Sequence, residues 1–194
     1  MLTAAGVLTT YSLRFLDSLV RMLFLPILPL FALELILDAA RVNIFTGLVI
    51  GAASASAAVF SVFFGRLGDR TGHRPIVILA SLLGFLSFTF QSLATSGWMF
   101  LLLQVFAGIA HGGVVTGVSA LLARYTACGE EGAVYGLDNS INSGARTLAP
   151  MLGVSIGLWL GLRAVFGAAA LFYLAAAFLA LRALPRSVAC AKTT

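Results

Sequence analysis

Charge is what this sequence has least of. Only 10% of its 194 residues are Asp, Glu, Lys or Arg, against about 25% in a soluble domain. Hydrophobic residues make up 60% and the mean hydropathy is +1.04. A chain so poor in charge cannot coat a water-facing surface, which excludes a soluble fold and implies a membrane protein. Cysteine is almost as scarce. Cys128 in a polar turn and Cys190 in the tail are too few to staple a fold, and their places suit neither a disulfide nor a metal site. An uninterrupted apolar stretch near the N-terminus is also missing, because Arg14, Asp17 and Arg21 interrupt it; this argues against a cleaved signal peptide. No nucleophile–base pair, phosphate loop or metal-ligand spacing is found, so neither an enzyme, a cofactor nor a metal is expected. The net charge of +5 rests on 12 basic residues, which speaks for membrane topology and not for nucleic-acid binding.

What is present is a series of apolar runs. Val42 to Gly65 carries no charged residue and rises about 36 Å as helix, enough for a hydrocarbon core of about 30 Å. Pro75 to Ala123 is equally free of Asp, Glu, Lys and Arg and would rise about 73 Å, which is two crossings. Their break is expected at Thr95-Ser96-Gly97, just before Trp98. With a turn at Leu160-Gly161-Leu162, the chain reads as one six-helix transmembrane bundle over 1–194, with spans near 6–33, 42–65, 75–94, 98–122, 135–160 and 163–184. Pro26 and Pro29 should break the outer third of the first span. With a cytoplasmic N-terminus, the inside segments hold Arg66, Arg70, Arg74, Arg124, Arg182, Arg186 and Lys192, and the outside ones only Arg41 and Arg163. The bias places both termini in the cytoplasm.

The segment GRLGDRTGHRP at 65–75 then falls on a cytoplasmic loop between the second and third spans. Its arginines serve topology by meeting anionic headgroups. Topology alone does not account for Asp69 among them or for Gly65, Gly68 and Gly72, a pattern suited to a tight turn docked on something. Gly65, Gly68, Asp69, Arg70, Gly72 and Arg74 resemble the loop signature of the major facilitator superfamily. APMLG at 149–153 and the run from Gly161 to Leu181 are similar to its late helices, and YGLDNSINSGARTLAPMLG most resembles the C-terminal half of bacterial drug:proton antiporters. The resemblance implies an all-α membrane fold whose halves each pair two inverted three-helix units, of which this chain supplies one half. It also implies proton-coupled efflux of small molecules across a bacterial inner membrane, with protons, lipid and a second six-helix half as partners. That half would be a separate N-terminal protein or a second copy, and Asp69 should dock on it. The competing expectation is a non-transporting fragment or assembly subunit.

Ionisable residues at bilayer depth cost roughly 2.5 to 3.5 kcal/mol each even on insertion scales, so they mark a cavity or partners. Arg14, Asp17 and Arg21 fall on one face of the first helix, either lining a cavity or forming an internal ladder with Asp17 between the arginines. Asp138, Asn142 and Arg146 follow at four-residue steps in the fifth span, with Asn139 and Ser143 widening the polar face, as cavity lining or as helix–helix glue. Gln104 and His111 share a face of the fourth. Histidine is the residue type suited to proton coupling, so His111 is a candidate proton site, or else it bonds to a neighbouring helix. Gly108, Gly112, Gly113 and Gly117, and the sets Gly47/Gly51, Gly132/Gly136 and Gly153/Gly157/Gly161, have the spacing of close helix packing. The faces of Asp17, His111 and Arg146 should converge. Asp17 and Arg146 both lie about 15 Å deep, and in the resembled fold their helices are neighbours along the cavity, so these two are expected to pair.

Overall fold

The computed structural model describes residues 2–36, 38, 40–126 and 129–184. Cys128, Cys190, Arg186 and Lys192 lie outside the described residues. The described chain is all helix: α1 (Leu2–Leu23), α2 (Leu28–Ile36), α3 (Val42–Thr71), α4 (His73–Ser92), α5 (Gly97–Tyr125), α6 (Glu131–Leu160) and α7 (Leu162–Ala183). α3, α4, α5 and α7 are each long and apolar enough to cross a membrane, and α1 with α2, bent by 49° at their break, are so when taken together as one span. The bend falls where expected. Pro26 sits in the break, where a missing N–H does no harm, and Ile27 and Leu28 donate to the Phe24 carbonyl at 3.0 and 2.9 Å to hold the turn. α6, of 30 residues, is long enough to be the sixth crossing. Asp138, Asn139, Asn142, Ser143 and Arg146 along it lower its hydropathy, so composition alone does not mark it.

The segment 65–75 corrects the expected loop. α3 continues as helix through Thr71, α4 begins at His73, and the whole reversal is made by Gly72. Its φ of 93° with ψ of 148° belongs to a region open essentially to glycine. Gly161 makes the same turn between α6 and α7, with φ 92° and ψ 159°. The likeness extends along both segments: the start and end of α6 are those of α3 offset by 89 residues (131 − 42), and the start of α7 is that of α4 offset alike. The helix contacts follow the same exchange, α3 on α5 answering α6 on α1, and α4 on α5 answering α7 on α1. This is the inverted three-plus-three architecture.

A reciprocal pair of bonds joins the two units. Arg74, at the start of α4, donates to the Leu181 carbonyl near the end of α7 at 2.6 Å. Arg163, at the start of α7, donates to the Ser92 carbonyl at the end of α4 at 3.3 Å. Both positions are related by the same offset. Each cation satisfies a carbonyl that the last turn of a helix leaves without a partner. The bonds also sort the helix ends: Arg66, Arg70, Arg74, Arg124 and Arg182 lie toward one end of the bundle, Arg41 and Arg163 toward the other.

Between the helices the core is aromatic. Phe31 packs on Phe166 and Phe100 with centroids 4.7 and 5.2 Å apart, and Phe24 on Phe88 at 5.5 Å. Glycine sets the closest approaches. A Cβ on Gly108 of α5 would strike the Ala53 carbonyl of α3, and one on Gly153 of α6 would strike the Leu23 carbonyl of α1. Gly47, Gly51, Gly132, Gly136 and Gly161 depart from their expected packing role, since a Cβ at any of them meets no atom within 4 Å. The contrast is testable by thermal unfolding in detergent. Gly153→Ala should cost about 1 to 3 kcal/mol through overpacking. Gly136→Ala, in a helix interior with open space, should be neutral or stabilise by up to about 1 kcal/mol.

Candidate functional site

Asp17 projects from α1 into the bundle and is 3% exposed. An ionised carboxylate there needs donors from other helices, because its own backbone N–H groups are spent in helix bonds. Two arrive. The Tyr173 hydroxyl on α7 donates to Oδ1 at 3.0 Å, and His111 Nδ1 on α5 lies 3.1 and 3.0 Å from the two carboxylate oxygens. The opposite ring nitrogen, Nε2, meets the guanidinium of Arg21, one turn beyond Asp17 on α1. Arginine only donates, so Nε2 must be unprotonated and Nδ1 must carry the hydrogen. His111 is therefore neutral in this arrangement, strung between a carboxylate and a cation.

Arg14, the other arginine of that face, turns away from Asp17. Its Nε reaches both oxygens of Asp138 on α6 at 3.1 and 3.2 Å, and its Nη2 reaches Oδ2 at 3.0 Å and the Ser119 hydroxyl at 3.1 Å. Both partners are largely buried, with side chains 14% and 10% exposed. Ser18 then donates to Asn142 Oδ1, one helical turn along α6. Two expectations are corrected by this arrangement. Asp17 is not held between Arg14 and Arg21, and among the described residues it forms no ion pair with Arg146. The reason is competition. The fork of Arg14 finds a full carboxylate across the α1–α6 contact, while Oδ1 of Asp17 is taken by Tyr173 and His111 and the His111 ring lies against Oδ2 at 3.0 Å. Arg146 is exposed, with no hydrogen bond or ion pair among the described residues.

The expected convergence of Asp17, His111 and Arg146 is found. They line a polar cavity of about 270 Å³ together with Arg14, Arg21 and Asn142. A second cavity of about 200 Å³ is apolar, walled by Phe24, Leu25, Ile50, Phe88 and Ala107, and takes in Gln104. The two meet at Arg21, Met22 and His111, which line both. Asp138 lies behind Arg14, 7% exposed. Asn139 and Ser143 are exposed and line neither space.

The 65–75 motif lies apart from the cavities and divides into two sets. Gly68 leaves room for the His73 ring, whose nearest carbon would be 2.7 Å from an added Cβ, Gly72 makes the turn and Arg74 caps α7. Arg66, Asp69 and Arg70 face outward; the Asp69 side chain is 74% exposed, with Oδ1 3.6 Å from His73 Nε2. Tyr173 and Ser119 complete the site and were not singled out from sequence. A tyrosine at mid-span, away from the interface where the residue is usual, was the available signal.

A bent first helix pair and two inverted three-helix units around a charged, half-apolar cavity make up half of a transporter-type fold. The family model of the Major Facilitator Superfamily matches residues 10–194, and the chain belongs to that family. It is 28% identical over 141 residues to the multidrug resistance protein MdtG of Salmonella typhimurium, covering 73% of this chain and 35% of the relative. MdtG of Salmonella arizonae is 27% identical over the same length. The chain thus spans about a third of the curated relatives it matches. Among solved structures it is similar to the human organic anion transporter MFSD10 (TETRAN), with a TM-score of 0.76 and 22% identity over 94% of this chain and 48% of that one.

The Arg14–Asp138 pair yields a measurable expectation. Asp138→Leu alone strands a buried guanidinium and should cost about 3 to 5 kcal/mol. Adding Arg14→Leu should recover most of that loss in an unfolding double-mutant cycle; additive losses would show that the two side chains do not depend on each other.

Proposed function

We propose that this chain is one six-helix half of a proton-coupled permease that exports small molecules from a bacterial cell, in exchange for protons, across the cytoplasmic membrane. The observation that carries the reading is the Asp17–His111–Arg21 line of contacts at the junction of the two cavities. In the arrangement described, His111 Nε2 is blocked by Arg21. A proton arriving at Nε2 makes the imidazole a cation held by Asp17, and like-charge repulsion then drives the Arg21 guanidinium into the space between the compartments. Loss of the proton draws it back. Proton and substrate compete for one volume, as exchange requires. The likeness to multidrug resistance proteins supports efflux as the direction, and the sorting of basic residues to one bundle end supports cytoplasmic termini.

Rocking of one bundle against another is how this architecture exposes a midplane site alternately. The second half is another six-helix bundle, and the outward-facing Arg66, Asp69 and Arg70 are the contacts offered to it. A second reading is a subunit that assembles without transporting; what favours it is that the polar contacts of Arg14 and Asp17 all join α1 to α5, α6 and α7 within the chain.

Native-membrane cross-linking followed by reconstitution with a pH-sensitive dye inside tests the proposal. Addition of a transported drug should drive proton flux, and Asp17→Asn should abolish it while leaving membrane insertion intact. Equal flux from Asp17→Asn vesicles would remove Asp17 from the coupling. Drug-independent proton retention by the cross-linked assembly would leave the assembly-subunit reading. Asp69→Asn should weaken cross-linking to the second half; unchanged cross-linking and unchanged flux would count against docking there.

A further inference from the structure

We propose that the cavity takes an amphipathic organic anion, its head held by Arg146 and Asn142 and its apolar body lodged between α1, α3 and α5. This rests on the permease reading and adds the charge class of the substrate. The charges of the site balance except for one. Arg14 is neutralised by Asp138 through a bidentate contact. Asp17 and Arg21 balance each other across the neutral His111 ring. Arg146 remains, exposed on the cavity wall and without a hydrogen bond or ion pair among the described residues.

A cation facing a cavity at bilayer depth is costly unless a counter-charge visits it. Its neighbour sharpens the selection. Asn142, one turn earlier on α6, has its carbonyl oxygen occupied by the Ser18 hydroxyl, which leaves its amide nitrogen as a donor. Guanidinium and amide together present donors with no free carboxylate beside them, since Asp17 and Asp138 are 3% and 7% exposed and already paired. A cationic head would meet Arg146 and find no free carboxylate among the described residues. A carboxylate, sulfonate or phosphonate would receive charge-assisted bonds from both groups.

The body of the ligand is set by the second compartment. Its walls are mostly apolar, Phe24, Leu25, Ile50, Phe88 and Ala107, and suit a ring or short chain, with Ser54 and the unpartnered Oε1 of Gln104 able to meet a single polar substituent. Met22 lies at the junction, where a flexible thioether accommodates varied shapes. The two spaces, of about 200 and about 270 Å³, match a small drug-like molecule with its charge at one end.

The test uses the full chain in lipid nanodiscs and two probes of one ring system, anilinonaphthalene sulfonate and its trimethylammonium counterpart, with empty nanodiscs as the blank. Saturable binding is expected for the sulfonate and not for the ammonium probe. Arg146→Gln should weaken sulfonate binding about tenfold or more, the loss expected for a charge-assisted bond, with the melting temperature unchanged because the side chain is unpaired. Arg146→Lys should recover part of it. Tighter binding of the ammonium probe, absence of saturable sulfonate binding, or an affinity unmoved by Arg146→Gln would each overturn the proposal. The two readings fail differently. Sulfonate binding without proton flux in vesicles would defeat transport and leave the charge class standing, while flux driven by the ammonium probe alone would do the reverse.

Discussion

A carboxylate at bilayer depth must find hydrogen-bond donors on other helices, and the arrangement of this bundle follows from how Asp17 finds them. Its partners come from α5 and α7, so one side chain ties three helices at a single level. The support reaches further back. A Cβ on Gly84 of α4 would lie 2.9 Å from the Tyr173 ring, which also stacks on Phe88 with centroids 5.6 Å apart. Glycine on α4 therefore positions a tyrosine on α7, whose hydroxyl fixes the carboxylate on α1. A methyl group added at Gly84 would be felt at the cavity.

The cavity itself depends on unequal helix spacing. α5 lies close against α3 because Gly108 leaves room for a backbone carbonyl, and α6 lies close against α1 through Gly153. These contacts seal the bundle on two sides and leave the polar residues of α1, α5 and α6 facing a common space. α6 illustrates the compromise. Its buried stripe of Ala145, Ala149 and Gly153 is narrow and small, so the rest of its circumference is free to carry Arg146 toward the cavity and Leu158 and Trp159 outward.

The helices, the proline break, the turns at Ser96 and Gly161 and the helix faces carrying charge were legible in the sequence, because hydropathy and a period of 3.6 residues are local properties. The residues 65–75 misled, since a stretch rich in arginine and glycine suggests a loop. A single positive-φ glycine can reverse a chain, and helix then needs no interruption on either side. Partner choice was not legible either. Which carboxylate Arg14 takes depends on whether Asp17 or Asp138 is already satisfied, and that is settled by Tyr173 and His111, far away in sequence. Gly47 and Gly51 were indistinguishable by spacing from Gly108 and Gly112, because a glycine motif says that a helix can be approached closely and not that it is.

The bonds from Arg74 and Arg163 have a consequence for how such a bundle is assembled from smaller parts. Each joins the first turn of one unit's third helix to the last turn of the other's, and the four residues involved occupy only two equivalent positions. In the language of oligomers this is an isologous contact, in which a patch recognises a copy of itself across a two-fold axis. One arginine in a free three-helix protein would generate both bonds on dimerisation. Fusion of two such copies into one chain keeps the contact and releases each arginine to vary on its own.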